Sequence, residues 1–294
     1  MSDPYPAVCD YEGSDYQERF WQRGGRAYED GAEALALRRL LPPGGERLLE
    51  LGAGAGRNTL RYEGFTEITL LDYSRSQLEQ ARQRLGESAR YRYVVADLYR
   101  MPFAPGAFDA ATMIRTLHHM ADPLEALLRV RLTLSEGAIF ILEFANKRNL
   151  KAIGRWLARR QTWSPFDPVP VEFARLNYDF HPRAVAGWLE TAMFHVERRL
   201  PVSHLRLAWL KERAPLSLLL GVESVLQRLD GAWLYTPSVF VRARAVGPPT
   251  PAAGSFWRCP ACESLDISEA DDGIRCRKCG RHWPKRDGIY EFRE

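Results

Sequence analysis

The chain has 294 residues, 46% of them hydrophobic and 27% charged, with a mean hydropathy of −0.34. That is ordinary globular composition, enough for one large domain and a small one, and it excludes a disordered chain. The net charge of +4 is almost all arginine, only five of the 41 basic residues being lysine, and no like-charged block reaches the length of a nucleic-acid-binding tail. No apolar run approaches the roughly 20 residues of a membrane-spanning helix. Met1 to Asp10 lacks the basic start and apolar middle of a signal peptide, so a cytoplasmic protein is expected.

Short apolar runs alternate with helical patterns through the first half of the chain. Arg47–Leu51 leads into a glycine-rich turn, and Glu67–Leu71 ends at Asp72, with Ser74 opening a helical stretch from Gln77 to Leu85. Tyr91–Val95 ends near Asp97. Phe108–Ile114 is followed by Asp122-Pro123, a helix cap with proline in the first turn, and the helix yields to a strand at Gly137–Leu142. Five strands separated mostly by helices predict a parallel α/β sheet. Residues 146–180 read as an irregular insertion. A helix from His181 to about Met193 and strands at Val196–Val202 and Pro237–Ala245 follow, split by an apolar helical insert, Leu205–Leu229.

The stretch Gly247-Pro-Pro-Thr-Pro-Ala-Ala-Gly-Ser255 reads as a linker. It divides a domain of residues 1–246 from one of residues 256–294.

Gly52, Gly54 and Gly56 follow an apolar strand with the spacing G-x-G-x-G, where bare backbone admits a ligand and a following helix would offer amides. The G-x-G-x-x-G of a dinucleotide site would need glycine at 57, where arginine stands. Asp72 and Asp97 close the second and third strands, placed to accept ribose hydroxyls and an adenine amino group. Either acid alone also fits a turn or helix cap.

With these residues in order, residues 47–145 resemble class I S-adenosylmethionine-dependent methyltransferases, and residues 30–245 do so loosely. Glu50 with Gly52, Gly54 and Gly56 matches the first motif of that family, Leu-Leu-Asp72-Tyr73-Ser the ribose-binding second, and Ala96-Asp97-Leu98 the third. The resemblance implies a Rossmann-like, seven-stranded, mostly parallel sheet with an antiparallel last strand. It implies S-adenosylmethionine held by Glu50, Gly52, Gly54, Gly56, Asp72, Tyr73, Asp97, Leu98 and Arg115. Ser135-Glu-Gly-Ala138 departs from the family's usual Lys-Pro-Gly-Gly turn.

His118-His119 and Glu143 stand at strand ends beside the expected cofactor, and His119 is the candidate catalytic base. The histidines fit turn packing equally. An aromatic cover is expected from Tyr16, Phe20, Trp21 and Tyr28, or from Trp163, Phe166, Tyr178, Phe180 and His181, with Asn177–Pro182 as an acceptor-side element. The Leu205–Leu229 insert keeps a hydrophobic or lipid-linked acceptor, and peripheral membrane contact, in view.

Four of the five cysteines lie near the C-terminus as Cys259-Pro-Ala-Cys262 and Cys276-Arg-Lys-Cys279, while Cys9 reads as a lone thiol in a mobile terminus. Two such knuckles supply four thiolates for one structural zinc ion, and a segment of about 40 residues needs the metal to fold. Cys276 to Tyr290 resembles the small zinc-ribbon activator subunits of tRNA and protein methyltransferases and their bacterial relatives. That resemblance implies a ribbon docked on its own catalytic domain. Arg258, Arg275, Arg277, Lys278, Arg281, Lys285 and Arg286 leave open a ribbon that grips RNA.

Three readings of function follow. The first is methyl transfer to a small organic acceptor, the second an RNA methyltransferase that grips its substrate with the basic ribbon, and the third a non-catalytic cofactor-binding and protein-docking module.

Overall fold

The computed structural model describes residues 6–10, 12–13, 25–228, 234–249 and 254–293. Helix α1 (Ala27–Leu40) precedes β1 (Gly45–Leu51), β2 (Phe65–Asp72), α2 (Arg75–Leu85), β3 (Tyr91–Val95) and β4 (Phe108–Met113). Then come α3 (Pro123–Thr133), β5 (Leu134–Ala145), α4 (Leu150–Leu157), β6 (Val171–Ala174), β7 (Asn177–Asp179) and α5 (Pro182–Thr191). β8 (Phe194–Val202), α6 (Ala208–Arg213), α7 (Leu216–Leu226) and β9 (Ser238–Ala245) complete the body. β10 (Ile267–Ala270), β11 (Gly273–Cys276), β12 (His282–Arg286) and β13 (Ile289–Glu291) follow.

Local chemistry sets the helix starts. Ser74 accepts from the Gln77 amide (3.3 Å) to open α2, and Asp122 accepts from Glu125 (3.0 Å) to open α3 with Pro123 in its first turn. Asn149 caps α4 by accepting from Ala152 (2.9 Å), a signal the expected irregular stretch 146–180 concealed. That stretch holds α4 and the β6–β7 hairpin.

The body strands lie in the order β3-β2-β1-β4-β5-β9-β8, parallel except for β9, which runs antiparallel to both β5 and β8. The expected total of seven strands is too low. Among the described residues one sheet has eleven, because β13 pairs in parallel with β3 (Ile289 opposite Tyr93, Glu291 opposite Val95) and β12, β11 and β10 continue outward. β3 would otherwise be a bare edge with unpaired amides and carbonyls.

Alternation along the strands divides the core between two faces. Leu49, Leu51, Val94 and Phe140 pack with Leu127 of α3 and Leu189 of α5; Leu48, Ile68, Leu70 and Tyr93 pack with Leu37 of α1 and Leu78 of α2. The C-terminal segment shares both cores. Trp257, Ile274, Trp283 and Phe292 join the first face, and Ile289 the second. The Trp257 ring stacks on Phe103 with centroids 5.8 Å apart, Phe256 meets Phe108 edge-on at 5.5 Å, and the Arg92 guanidinium lies 4.2 Å from the Phe256 ring centre.

Candidate functional site

The glycine loop joins β1 to a short turn rather than to the α-helix expected to offer its amides. Only a three-residue 3-10 helix, Thr59–Arg61, follows it. Gly52, Gly54 and Gly56 all adopt positive φ (65°, 52° and 67°). Gly52 is also fixed by space, since a Cβ there would stand 2.1 Å from the Thr116 hydroxyl oxygen. Gly56 faces Leu85 and Ala81 of α2, so it closes the turn against the helix.

Around this loop lies a pocket whose wall includes Glu50, Gly52, Gly54, Asp72, Tyr73, Leu98, Arg115 and His119, so eight of the expected site residues come together. Gly56 and Asp97 stand outside that wall. Asp97 accepts from the Tyr99 amide (2.9 Å) and starts the turn that carries Leu98. Val8 and Cys9 also line the pocket, so Cys9 belongs to a wall rather than to a loose terminus.

Asp72 is held at the end of β2 by two backbone donors, Gly54 (2.8 Å) and Ser74 (2.9 Å), and burial pushes its carboxyl up. Glu50 is buried beneath the loop, accepting from the hydroxyls of Thr59 (2.6 Å) and Tyr62 (3.3 Å). Burial lifts it to about 7 against those two hydrogen bonds.

A network of charge that the motifs did not reveal closes the polar end. Glu33 of α1, fully buried, takes Arg57 at 2.6 Å and Arg115 at 2.5 Å, and Arg57 also pairs with Asp30. Burial pushes the Glu33 carboxyl up, but the two guanidiniums outweigh it and hold it below the usual range. An acid among the alanines and leucines of α1 was the available signal. Arg115 stands in left-handed backbone (φ 56°), its amide donating to Glu143 (2.9 Å), which also accepts from Ser238 (2.5 Å). Glu143 therefore positions Arg115 and does not line the pocket.

His119 Nδ1 lies 3.0 Å from the carbonyl oxygen of Leu176, in the turn between β6 and β7. A carbonyl only accepts, so the ring proton sits on Nδ1 and Nε2 is the basic nitrogen. Burial lowers the pKa of His119 and keeps the ring neutral.

The expected aromatic cover is not what these rings build. Tyr28 is buried and donates to Glu223 of α7 (2.5 Å), while Phe180 is buried in the core. His181 Nδ1 accepts from Arg183 (3.1 Å) and caps α5, which accounts for the Asn177–Pro182 motif. Trp163 lies 5.5 Å from the Lys147 ammonium, and Phe166 packs on Trp156. Tyr178 stacks on Phe180, and none of these rings lines the pocket. Tyr16, Phe20 and Trp21 lie outside the described residues. Within Leu205–Leu229, α7 buries Leu219 and Glu223 and leaves Leu218 and Val225 exposed.

The four C-terminal sulfurs lie within 4.8 Å of one another, with Cys259 to Cys279 at 3.7 Å and Cys262 to Cys276 at 3.6 Å. Those separations are too long for disulfides, at about 2.05 Å. Four thiolates at about 2.3 Å from one zinc stand about 3.8 Å apart, so the donor set fits a closed tetrahedral site. Of the nearby cations, Arg258 pairs with Glu263 and Arg277 with Asp266, and Lys285 lies over Tyr290. Arg275, Lys278, Arg281 and Arg286 are exposed.

The profile of the family described as "Methyltransferase domain" matches residues 49–142, from β1 through β5. A demethylmenaquinone methyltransferase of Clavibacter sepedonicus is 32% identical over 154 residues, covering 51% of this chain and 53% of that protein. The chain spans about half the length, or less, of the curated relatives it matches. Among solved structures, an S-adenosylmethionine-dependent methyltransferase of Mesorhizobium loti matches with a TM-score of 0.53 and 23% identity, over 72% of this chain and 97% of that one. A chain from the complex of the Haloferax volcanii Trm112 methyltransferase activator with its methyltransferase matches with a TM-score of 0.56 and 15% identity, over 79% and 96%. The chain thus shares the fold of solved S-adenosylmethionine-dependent methyltransferases, and residues 49–142 match the methyltransferase-domain family.

Proposed function

We propose that this chain is an S-adenosylmethionine-dependent methyltransferase acting on a small organic acceptor of apolar or lipid-linked character. The observation that carries the reading is one pocket bounded by the glycine loop, Asp72 and the Arg57–Glu33–Arg115 network, inside the matched domain. The donor set fits the cofactor. Asp72 faces where ribose hydroxyls would lie, Ala96 and Leu98 offer an apolar slot for an adenine, and Arg57 with Arg115 would draw an amino-acid carboxylate. The demethylmenaquinone relative supports an acceptor of this kind.

When bound, the cofactor supplies a methyl group on an electrophilic sulfonium. The chain's own part is to hold the acceptor in line and exclude water. Where the acceptor carries a proton, His119 Nε2 takes it. The neutral ring and the Leu176 contact fix that nitrogen's protonation state.

The same proposal divides the chain into a methyltransferase domain (1–246), a linker (247–255) and a ribbon (256–294) built on one structural zinc. The parallel β13–β3 pairing and the shared aromatic core support a ribbon acting in cis as a stabiliser.

Methyl-labelled S-adenosylmethionine and the purified full chain, given to fractionated lysate, test the reading with Asp72→Ala as the blank. Label in lipid or small-metabolite pools is expected. Label confined to RNA would move the role to the ribbon's arginines, and none above the blank would leave cofactor binding without turnover.

A further inference from the structure

Residues 147–160 contain six cations and no acid. Asn149 starts α4 within this run, and that helix buries only Ala152. Its Leu150 and Leu157 are 65% and 69% exposed, and the following loop and hairpin expose Phe166, Val169 and Phe173 at 48%, 62% and 64%. Apolar side chains scattered singly over a surface are ordinary; so many in one segment are not. They are also held in place. Trp156 packs edge-on against Phe166 (5.6 Å), and the Lys147 ammonium donates to the Val169 carbonyl (2.6 Å).

The insertion is joined to the pocket. Leu176, in the turn of its hairpin, meets His119 of the pocket wall. Asp179, at the end of β7, feels both Arg155 of α4 and Arg206, which lies just before α6. The second insertion begins there and exposes Trp209, Leu218 and Val225.

We propose that the α4–β7 insertion is a peripheral membrane-docking surface, seating its leucines and aromatics among the headgroups of an anionic bilayer beside the pocket. Charge complementarity selects the occupant. Lys151, Arg155, Arg159 and Arg160 are exposed among the apolar side chains, the arrangement of an interfacial amphipathic helix. Aliphatic Leu150, Leu157 and Val169 gain nothing from a nucleic-acid backbone but do gain from acyl chains. Contact is peripheral, since among the described residues no helix is long and apolar enough to cross a membrane. This deepens the apolar-acceptor reading, yet its test needs no turnover.

The test floats the purified 294-residue chain, prepared with zinc, with phosphatidylcholine vesicles, with or without phosphatidylglycerol, at low and physiological salt. Binding to the anionic vesicles, weakened by salt and by omission of phosphatidylglycerol, is expected. Leu150→Glu with Leu157→Glu should reduce it about tenfold or more. Arg159→Gln with Arg160→Gln should remove the preference for the anionic lipid. Melting curves and S-adenosylmethionine binding should match the parent in both variants. Should the leucine pair alter the melting curve, the arginine pair decides. No flotation at low salt overturns the proposal, as does flotation indifferent to both pairs, or capture by RNA without capture by vesicles.

Discussion

The guanidinium of Arg293 lies 5.5 Å from the centre of the Tyr73 ring. Tyr73 lines the pocket beside Asp72, so Arg293 rests on the outside of the pocket wall. Arg293 is held there by Glu291 (2.8 Å) and by Glu12 (3.2 Å), whose carboxylate also accepts from the first amides of α2.

Loss of the metal should therefore reach the pocket. Metal analysis of the purified chain should give one zinc per molecule, and stripping it with a chelator should lower the melting temperature by about 5 °C or more. Affinity for S-adenosylmethionine, read by calorimetry, should fall in the same sample. An unchanged melting curve would sink the stabilising role.

Trp257→Ala should be among the most destabilising single changes. The ring is 3% exposed, stacks on Phe103 and touches Tyr290 and Phe292, so truncation opens a cavity between ribbon and body. The expected loss is about 3–5 kcal/mol in denaturant unfolding. A loss under about 1 kcal/mol would mean that the two parts do not share a core in solution.

Glu50 predicts a pH dependence with a definite sign. Its folded value, about 7, lies above the ordinary 4.5, so the folded state binds the proton more tightly. The stability it contributes is full below pH 4.5 and is lost as pH rises through 7. The span corresponds to at most about 3 kcal/mol. Glu50→Gln should match the parent near pH 4.5 and exceed it at pH 8 in thermal melts without cofactor. Parallel curves across that range would refute the assignment.

His119→Ala should lower turnover more than His119→Asn, because asparagine can still donate to the Leu176 carbonyl. If His119 is also the base, both variants should lose the acid limb of the pH–rate profile. Burial places that limb below the ordinary histidine value of 6.5. A limb that survives both substitutions would leave the histidine a positioning role only.

The β1–β5 part of this fold was legible because its signals are local. Strand runs end at acids, glycines adopt the positive φ their spacing foretold, and Ser74 and Asp122 cap where read. The Arg57–Glu33–Arg115 network was not legible, since its members lie on α1, the glycine loop and the turn after β4 and meet only in three dimensions. Residues 146–180 misled for another reason. Proline and exposed aromatics look irregular in a linear reading, yet Asn149 and the Lys147–Val169 contact order them. Of the aromatics expected in a cover, Tyr28 and Phe180 are drawn into the core and His181 into a helix cap.

The pairing of β13 with β3 also has a temporal side. Its partners, Tyr93 and Ile289, are about 200 residues apart in sequence. A chain emerging from the ribosome completes β3 and the Phe103–Phe108 surface long before their partner exists, and loop closure over that distance is slow. A strand synthesised long after β3 is thus the one that covers its edge. Until β13 arrives, the edge of β3 stands open to pairing with other nascent chains.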